Sequence, residues 1–298
     1  MVARRTDLAL EAGELWREGG AGAPPGVEEA ERTEDGFQLR EVRVLDARGA
    51  EALGKPVGRY ITLELDPLSR REEDALGRGA ALLAKELRQL LPLREGEAVL
   101  VCGLGNAAIT PDRIGPEAIR HTLATRHLLR TMPKTFPGLR PVCALETGVM
   151  GVTGLESAEL IRAVTDCVRP AAVIAVDALA ARRLRRICRT VQLADTGIVP
   201  GSGVGNARAE LSAATLGVPV IAVGVPTVVD AGTLAADLLR EAGAEEPQEG
   251  LLSGVGEELF VTPRLIDSQV RDAGKLIGLG IDLALHEGLT VEDVEMLL

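Results

Sequence analysis

Three aspartates in this sequence lie at or just after apolar runs, where α/β enzymes often hold catalytic carboxylates. Asp177 and Asp195 follow such runs closely, and Asp112 lies in the loop after another. Taken alone, each is better explained as a helix cap, because an aspartate at a helix start accepts a hydrogen bond from a backbone N–H that is otherwise unpaired. Two carboxylates held a few ångströms apart instead share one proton, so one acts as general base on water and the other as general acid. The sequence allows this pairing for Asp112 and Asp177.

Two other motifs invite a catalytic interpretation and support it less well. Asp195-Thr196-Gly197 matches the signature of pepsin-like proteases, but those are all-β folds with two facing copies, and this chain has one. A glycine-rich segment follows it and reads Gly201-Ser202-Gly203-Val204-Gly205-Asn206. It lacks the spacing of a dinucleotide motif and the lysine of a phosphate loop. A tight turn and a loop that shapes a cleft remain equally good explanations.

Nucleophilic and metal-dependent chemistries have weaker support. Ser202 is not part of a G-x-S-x-G elbow, and Cys102 lies within an apolar run, where a buried free thiol is expected. The four cysteines form no C-x-x-C pair. The three histidines are too scattered to predict a metal site, so we expect no bound metal and no cofactor.

Alternating apolar strands and amphipathic helices organise the rest of the chain. Strands are predicted at residues 41–45, 60–65, 98–102, 141–145, 171–176, 190–193 and 218–225. Helices are predicted at residues 8–16, 71–91, 115–130, 156–168, 178–186, 207–216, 229–242 and 262–287, and a surface loop at residues 245–256. This alternation predicts a three-layer α/β/α sandwich with a mainly parallel, or mixed, central sheet. Its core must be aliphatic, since aromatic residues make up only 2%.

Charge and hydropathy exclude several partners. The formal net charge of −11 argues against a long contact with nucleic acid. The one basic run, residues 182–186, is better explained as a solvated helix face or a subunit contact than as a nucleic-acid patch. No apolar run is long enough to span a bilayer and no signal peptide is evident. We therefore expect a cytoplasmic protein without a membrane partner.

A series of short motifs, in order, resembles the germination proteases of spores. Any one of them is weak, but together they span nearly the whole chain from Arg5 onward. The motifs are Gly103-Leu104-Gly105-Asn106, Thr110-Pro111-Asp112, Thr125-Arg126-His127-Leu128, Gly148-Val149-Met150-Gly151, Val176-Asp177-Ala178-Leu179, Asp195-Thr196-Gly197-Ile198 with Pro200 through Asn206, Gly224-Val225-Pro226-Thr227, Val261-Thr262-Pro263 and Ile266-Asp267.

The resemblance implies an endopeptidase of the spore core that degrades small acid-soluble spore proteins during germination. It implies a zymogen made in the forespore, a homotetramer, and removal of the enzyme's own N-terminal propeptide. The implied fold is that of hydrogenase maturation endopeptidases. The two aspartates proposed for catalysis in the family fall on Asp112 and Asp177, and Asn106 lies in a matching motif near them.

The N-terminus carries a sequence like the family's substrates. These are cut after an acidic residue that is followed by an apolar residue, Ala, any residue and Glu, and Asp7-Leu8-Ala9-Leu10-Glu11 fits that order. We therefore predict cleavage between Asp7 and Leu8, with residues 1–7 as propeptide and residues 8–298 as one peptidase domain. The same residues also fit a helix start capped by Thr6 or Asp7.

An acidic substrate residue calls for a cationic partner, and arginine suits a carboxylate best. Arg113, Arg126 and Arg182 are the candidates, and the sequence does not choose among them. Two alternatives stay open. One is a metal-dependent peptidase of the hydrogenase-maturation type that uses Asp112, Asp177 and His127, and the other is a non-enzymatic protein that binds a nucleotide or another small molecule.

Overall fold

The structure is a computed structural model that describes residues 6–20, 22–132, 135–136, 138–243 and 259–298. Its strands are β1 (Val27–Glu34), β2 (Phe37–Val44), β3 (Gly58–Glu64), β4 (Val99–Leu104), β5 (Val142–Gly148), β6 (Ala172–Ala181), β7 (Thr190–Ala194), β8 (Val220–Asp230) and β9 (Phe260–Val261). Its helices are α1 (Ala9–Glu18), α2 (Ala47–Leu53), α3 (Asp66–Ser69), α4 (Ala75–Leu90), α5 (Ile114–Arg120), α6 (Arg126–Thr131), α7 (Met150–Thr153), α8 (Ser157–Val168), α9 (Ala213–Leu216), α10 (Ala231–Glu241), α11 (Ile266–Leu285) and α12 (Val291–Leu297).

These strands form one mixed sheet in the order β1-β2-β3-β7-β8-β6-β4-β5, with β9 paired to β8. The four strands β8, β6, β4 and β5 are parallel to one another, whereas β1, β2, β3 and β7 pair antiparallel. The expected α/β architecture is confirmed, and of its two forms the sheet is the mixed one. Parallel pairing is confined to one half of the sheet.

Helices cover both faces of the sheet, which makes the fold three-layered. On one face, Leu83 of α4 and Leu276 of α11 share an apolar cluster with Val101 of β4. On the other face, α8 packs on the parallel half, and α1 packs on the antiparallel half around Tyr60. The core is aliphatic, as the composition predicts, because strands buried on both faces need compact branched side chains. None of the described helices has the length and apolar character needed to cross a bilayer.

Sequence reasoning missed two of the described strands, β1 and the two-residue β9. Strand β1 reads VEEAERTE, so its charges hide the alternation that usually marks a strand. The connection to β2 is Asp35-Gly36, and both residues have positive φ, at 48° and 83°. Such a dipeptide favours a two-residue hairpin turn. This was the signal that could have identified the hairpin.

The helix predicted at residues 178–186 is wrong. Strand β6 continues through Ala181, because Ala178 and Ala180 pair with Val225 and Val228 of β8. Only a 3-10 turn at Leu184–Arg186 follows it. The helix expected at residues 207–216 is likewise reduced to α9, and that expected at residues 115–130 divides into α5 and α6. The predicted surface loop at residues 245–256 lies outside the described residues.

The basic run is not a solvated helix face. Arg182 and Arg186 are buried and form ion pairs within the chain. Arg182 contacts Asp237 and Glu18 at 2.7 Å each, and Arg186 contacts Glu11 at 3.0 Å. Two acidic side chains of α1 are thereby bound to the segment after β6, because a buried guanidinium needs carboxylate partners.

Close backbone packing fixes the start of α5 against two strands of the parallel half. A Cβ at Gly115 would lie 2.2 Å from the carbonyl oxygen of Leu104 and 2.7 Å from that of Val176. Val176 immediately precedes Asp177, and Gly115 follows Asp112 by three residues. The absence of a side chain at position 115 therefore lets the two aspartate-bearing segments approach each other.

We expect Gly115→Ala to lower the free energy of unfolding by about 1–3 kcal/mol, because the new methyl group forces the backbones apart. Gly151→Ala is the matched control, since a Cβ there would meet nothing within 4 Å. Urea unfolding of both variants measures the difference. Equal stability of the two variants would contradict this account of the packing.

Candidate active site

Asp112 and Asp177 line one cavity of about 420 Å³, which we call the aspartate cavity. It opens at the carboxyl ends of β4 and β6, the edge at which open α/β sheets bind ligands. Its other lining residues include Asp7, Gly105, Met150, Leu179, Gly201, Gly203, Asn206, Arg208, Thr227 and Phe260. The two aspartates that the sequence singles out thus line the same cavity.

Asp177 is buried within β6, with 5% of its surface exposed. It does not cap a helix, and its Oδ1 accepts the Ala178 N–H at 2.9 Å. Burial raises its pKa well above the ordinary aspartate value, and the nearby carboxylates of Asp112 and Asp7 raise it further. Asp177 therefore holds a proton under conditions where an exposed aspartate has lost it.

Asp112 ends the 3-10 turn Thr110–Asp112 and is less buried. Burial also raises its pKa, while the Asn106 N–H donates to its Oδ2 at 2.8 Å and lowers it. The turn is fixed to the sheet because the Thr227 hydroxyl of β8 donates to the Pro111 carbonyl at 2.6 Å. The two carboxyl groups thus differ in environment, as an acid and a base working together require.

The N-terminal segment occupies the same cavity. The Asp7 N–H donates to the Ala180 carbonyl at 3.0 Å, and the Ala180 N–H donates back to Asp7 Oδ2 at 2.8 Å. The Ser202 hydroxyl donates to Asp7 Oδ1 at 2.9 Å. A Cβ at Gly203 would lie 1.9 Å from Asp7 Oδ2, so the glycine makes room for this carboxylate.

The residues after Asp7 are held more deeply. Leu8, Ala9 and Glu11 are fully buried. Glu11 accepts the N–H groups of Arg182 and Arg183 at 2.6 and 2.9 Å, in addition to its ion pair with Arg186. These contacts satisfy the buried carboxylate and attach α1 to the segment after β6.

The main chain of Asp7 faces a second cavity of about 440 Å³, the Lys55 cavity, lined among others by Thr6, Asp7, Lys55, Tyr60 and Gln192. The Asp7 carbonyl accepts hydrogen bonds from Lys55 Nζ at 3.0 Å and from Gln192 Nε2 at 3.2 Å. Asp7 therefore lies between the two cavities. Its carboxylate is bound on one side and its carbonyl on the other.

Comparison with known proteins shows the family of this chain. A family model described as germination protease matches residues 9–246. The germination protease of Clostridium tetani is 41% identical over 97% of this chain and 98% of the relative, and that of Caldanaerobacter subterraneus is 43% identical over 99% and 98%. This chain belongs to the germination protease family. The Bacillus subtilis germination protease is 37% identical over 97% of this chain and 95% of its own length.

Among solved structures, a nickel–iron hydrogenase maturation protease, HycI from Thermococcus kodakarensis, matches with a TM-score of 0.36 and 18% identity. The match covers 66% of this chain and 98% of that one. At this level of similarity the match adds nothing to the description of the fold. Membership of the germination protease family rests on the sequence relatives, and it makes the chain a peptidase rather than a non-enzymatic binding protein.

The three arginines predicted as partners of an acidic substrate residue lie outside both cavities of this germination protease. Arg182 is bound to Asp237 and Glu18. Arg113 lies 3.5 Å from Asp267. None of the three candidates, Arg113, Arg126 and Arg182, lines either cavity. Among the described residues, the Asp7 carboxylate is bound by a hydroxyl and a backbone N–H instead.

Asp195 also lies outside both cavities. Its carboxylate accepts the Arg59 N–H at 2.8 Å and thereby joins the end of β7 to β3. The Asp-Thr-Gly tripeptide thus occurs at a strand connection. Asn106 contributes to the site through its backbone N–H, while its side chain accepts the Ala108 N–H at 2.9 Å. Gly201 and Gly203 line the aspartate cavity and Ser202 contacts Asp7.

The donor set of the metal-dependent alternative is not brought together. His127 does not line the aspartate cavity. Within the ranges that the structure describes, no three His, Cys, Asp or Glu side chains are grouped so that they could hold a metal ion. Cys102 is buried in β4 as expected, and burial raises the pKa of its thiol, whereas Cys143 is only partly buried.

Sequence reasoning missed Lys55, Gln192 and Arg208. Lys55 follows α2 and Gln192 lies in β7, far along the chain from both aspartates. Arg208 lines the aspartate cavity and lies 3.3 Å from Glu156. Only the tertiary fold brings Lys55 and Gln192 to the N-terminal segment and Arg208 to the aspartate cavity. The one usable signal was the polar Gln192 inside the apolar stretch of residues 191–194.

Burial of Asp177 predicts a pH-dependent stability. Because its folded-state pKa is raised, the folded protein keeps a proton that the unfolded chain releases above about pH 4. The free energy of unfolding then falls as pH rises toward the folded-state pKa, by at most about 1.4 kcal/mol per pH unit. Asp177→Asn lacks this titration, so the variant should be more stable than wild type at about pH 7.5 and similar at about pH 4.

Urea unfolding at both pH values, on samples of confirmed intact mass, checks this expectation. Asp195→Asn serves as the control, because Asp195 lies outside both cavities and an asparagine can still accept the Arg59 N–H. A wild-type protein more stable than Asp177→Asn at the higher pH would contradict it.

Proposed function

We propose that this germination protease is an endopeptidase that hydrolyses peptide bonds with the pair Asp112 and Asp177. It is made as a zymogen, and it removes residues 1–7 by cleaving between Asp7 and Leu8. One observation carries the proposal. The side chain of Asp7, the first residue of a substrate-like sequence, is bound in the cavity that both aspartates line.

The proposed chemistry uses one proton shared by the pair. Asp177, whose pKa is raised most by burial, holds the proton, and Asp112 is ionised. Asp112 takes a proton from water as the water oxygen attacks the carbonyl carbon. Asp177 gives its proton to the departing amine nitrogen when the C–N bond breaks. Return of the water-derived proton from Asp112 to Asp177 restores the starting state.

The environment of Asp7 supports a preference for an acidic residue before the cleaved bond. Its carboxylate accepts two hydrogen bonds, from the Ala180 N–H and the Ser202 hydroxyl. Hydrogen bonds to an ionised carboxylate are stronger than those to a neutral group. When residues 1–7 have left, the same two donors and the space above Gly203 can receive the acidic residue of another chain.

The same contacts suggest how the zymogen is kept inactive. Thr6 and Asp7 fill positions that a substrate would need, and Leu8 through Glu11 are buried with α1. Residues 8–11 therefore stay in place after cleavage, while residues 1–7 can leave. Small acid-soluble spore proteins are the proposed substrates and the spore core is the proposed compartment. The homotetramer stays a prediction.

Removal of the carboxylates tests the pair. We expect Asp112→Asn and Asp177→Asn each to slow the loss of residues 1–7 by roughly 10²–10⁴-fold, because each variant lacks one proton-transfer group. Intact-mass analysis of the purified full-length chain over time measures the rate. Asp195→Asn is the matched control and should process at the wild-type rate. Unchanged processing in either cavity variant would remove that aspartate from the mechanism.

Ser202→Ala tests recognition of the acidic residue. Loss of one hydrogen bond to a charged carboxylate is worth about 1.5–3 kcal/mol, so processing should slow by roughly 10–100-fold. Ser268→Ala is the control, since that hydroxyl contacts only its own helix start. Asp7→Asn should slow processing as well, and the double variant should lose less than the two single losses combined. Strictly additive losses would show that Ser202 does not read the carboxylate.

A further inference from the structure

Two side chains hold the carbonyl of the residue before the proposed cleavage point. Lys55 Nζ donates to the Asp7 carbonyl at 3.0 Å and to the Thr6 carbonyl at 3.3 Å. Gln192 Nε2 donates to the same Asp7 carbonyl at 3.2 Å. The Asp7 oxygen thus accepts two hydrogen bonds, one of them from an ammonium group.

Gln192 forms hydrogen bonds on both sides of the peptide bond between Asp7 and Leu8. Besides donating to the Asp7 carbonyl, it accepts the Ala9 N–H with Oε1 at 2.8 Å. The two contacts use the two ends of one amide, which fixes its orientation. The peptide bond between Asp7 and Leu8 is therefore held by its neighbours rather than left free in the cavity.

The sheet sets where Gln192 stands relative to Asp177. Gln192 pairs with Gly224 of β8, and Gly224 pairs with Asp177 of β6. Paired residues on adjacent strands point to the same face, so Gln192 and Asp177 share a face two strands apart, a backbone separation of about 10 Å. The Leu179 side chain packs over Gly224, where an added Cβ would lie 2.5 Å from it. Gln192 and the proposed acid Asp177 thus lie on one face of the sheet.

Lys55 is placed for this contact by the end of α2. The helix ends at Gly54, which has a φ of 61°, and the Lys55 N–H donates to the Ala50 carbonyl at 3.2 Å. Within the part of the chain that the structure describes, no carboxylate lies within 4 Å of the Lys55 ammonium. Its hydrogen bonds go instead to the main chain of the residues proposed to be cut off.

We propose that Lys55, assisted by Gln192, is a catalytic residue that binds the carbonyl oxygen of the bond being cleaved. This inference rests on the proposed cleavage between Asp7 and Leu8. When water adds to the carbonyl carbon, the C=O electron pair moves to oxygen, and the Lys55 ammonium and the Gln192 amide stabilise that charge. The C=O bond re-forms as the C–N bond breaks. Lys55 keeps its proton throughout.

Lys55 and Gln192 can bind the carbonyl of a separate substrate chain in the same way. Once residues 1–7 have left, Lys55 and Gln192 lose their partners in Thr6 and Asp7, and their donors become available. The carbonyl of a substrate's acidic residue would then take the place of the Asp7 carbonyl, while its carboxylate binds Ser202 and the Ala180 N–H. The site for the main chain and the site for the side chain lie on opposite sides of one residue.

The test compares processing rates of full-length Lys55 and Gln192 variants by intact mass. Lys55→Met should slow loss of residues 1–7 by roughly 10²–10³-fold, the typical effect of removing one oxyanion donor. Lys55→Arg keeps a charged donor and should recover the rate to within about 10-fold of wild type. Gln192→Leu loses a neutral donor and should slow processing by about 10-fold. Lys275→Met is the control, because Lys275 pairs with Glu295 and lines neither cavity.

The Lys55→Gln variant covers the case in which Lys55→Met does not fold. It retains a neutral donor of similar length, and a rate well below that of Lys55→Arg shows that charge at the carbonyl matters. Equal rates for Lys55→Arg, Lys55→Gln and wild type would overturn the proposal. A loss of rate that merely follows a loss of thermal stability across the Lys55 series would overturn it too.

Asp177→Asn, run in parallel, separates this inference from the proposed function. If Lys55→Met is slow and Asp177→Asn processes at the wild-type rate, Lys55 is supported and the aspartate pair is refuted. If Asp177→Asn is slow and Lys55→Met is not, the pair stands and the role of Lys55 is refuted. A wild-type chain that is never cut between Asp7 and Leu8 would refute both.

Discussion

The burial of Asp177 in the centre of the sheet is the constraint on which the site depends. A carboxylate surrounded by apolar strands loses its hydration, so its pKa rises and it keeps a proton. Asp112, less buried and bound by the Asn106 N–H, provides the contrasting group nearby. Close packing of Gly115 on the backbones of β4 and β6 is what allows the two segments to meet. The fold thereby maintains a difference between two chemically identical side chains.

Another buried carboxylate, that of Glu11, has its charge compensated by partners within the chain. Glu11 is fully buried but accepts two backbone N–H groups and an arginine, so its charge is compensated within the chain. This network attaches α1 to the segment after β6, while Asp7, four residues earlier, is only partly buried. A chain cut between Asp7 and Leu8 would therefore lose its first seven residues and keep the helix.

The mixed sheet explains how one segment meets groups from distant parts of the sequence. Its parallel half supplies Asp177 within β6 and Asp112 in the 3-10 turn that follows β4. Its antiparallel half supplies Gln192 on β7, and the helix between β2 and β3 leads into Lys55. The N-terminal segment crosses the boundary between the two halves. Asp7 thus lines the cavity of the two carboxylates on one side and is bound by Lys55 and Gln192 on the other.

The sequence alone was enough to predict the α/β class, the aliphatic core and the family, because apolar periodicity and ordered motifs are local properties of the chain. The family resemblance also singled out the two aspartates that line one cavity. The sequence could not show that β6 continues beyond Asp177 or that Arg182 and Arg186 are buried, since both follow from pairing with distant residues. Nor could it choose what binds Asp7. Arginine was expected from general chemistry, whereas Ser202, Lys55 and Gln192 reach that residue only because three strands and a helix end are packed around it.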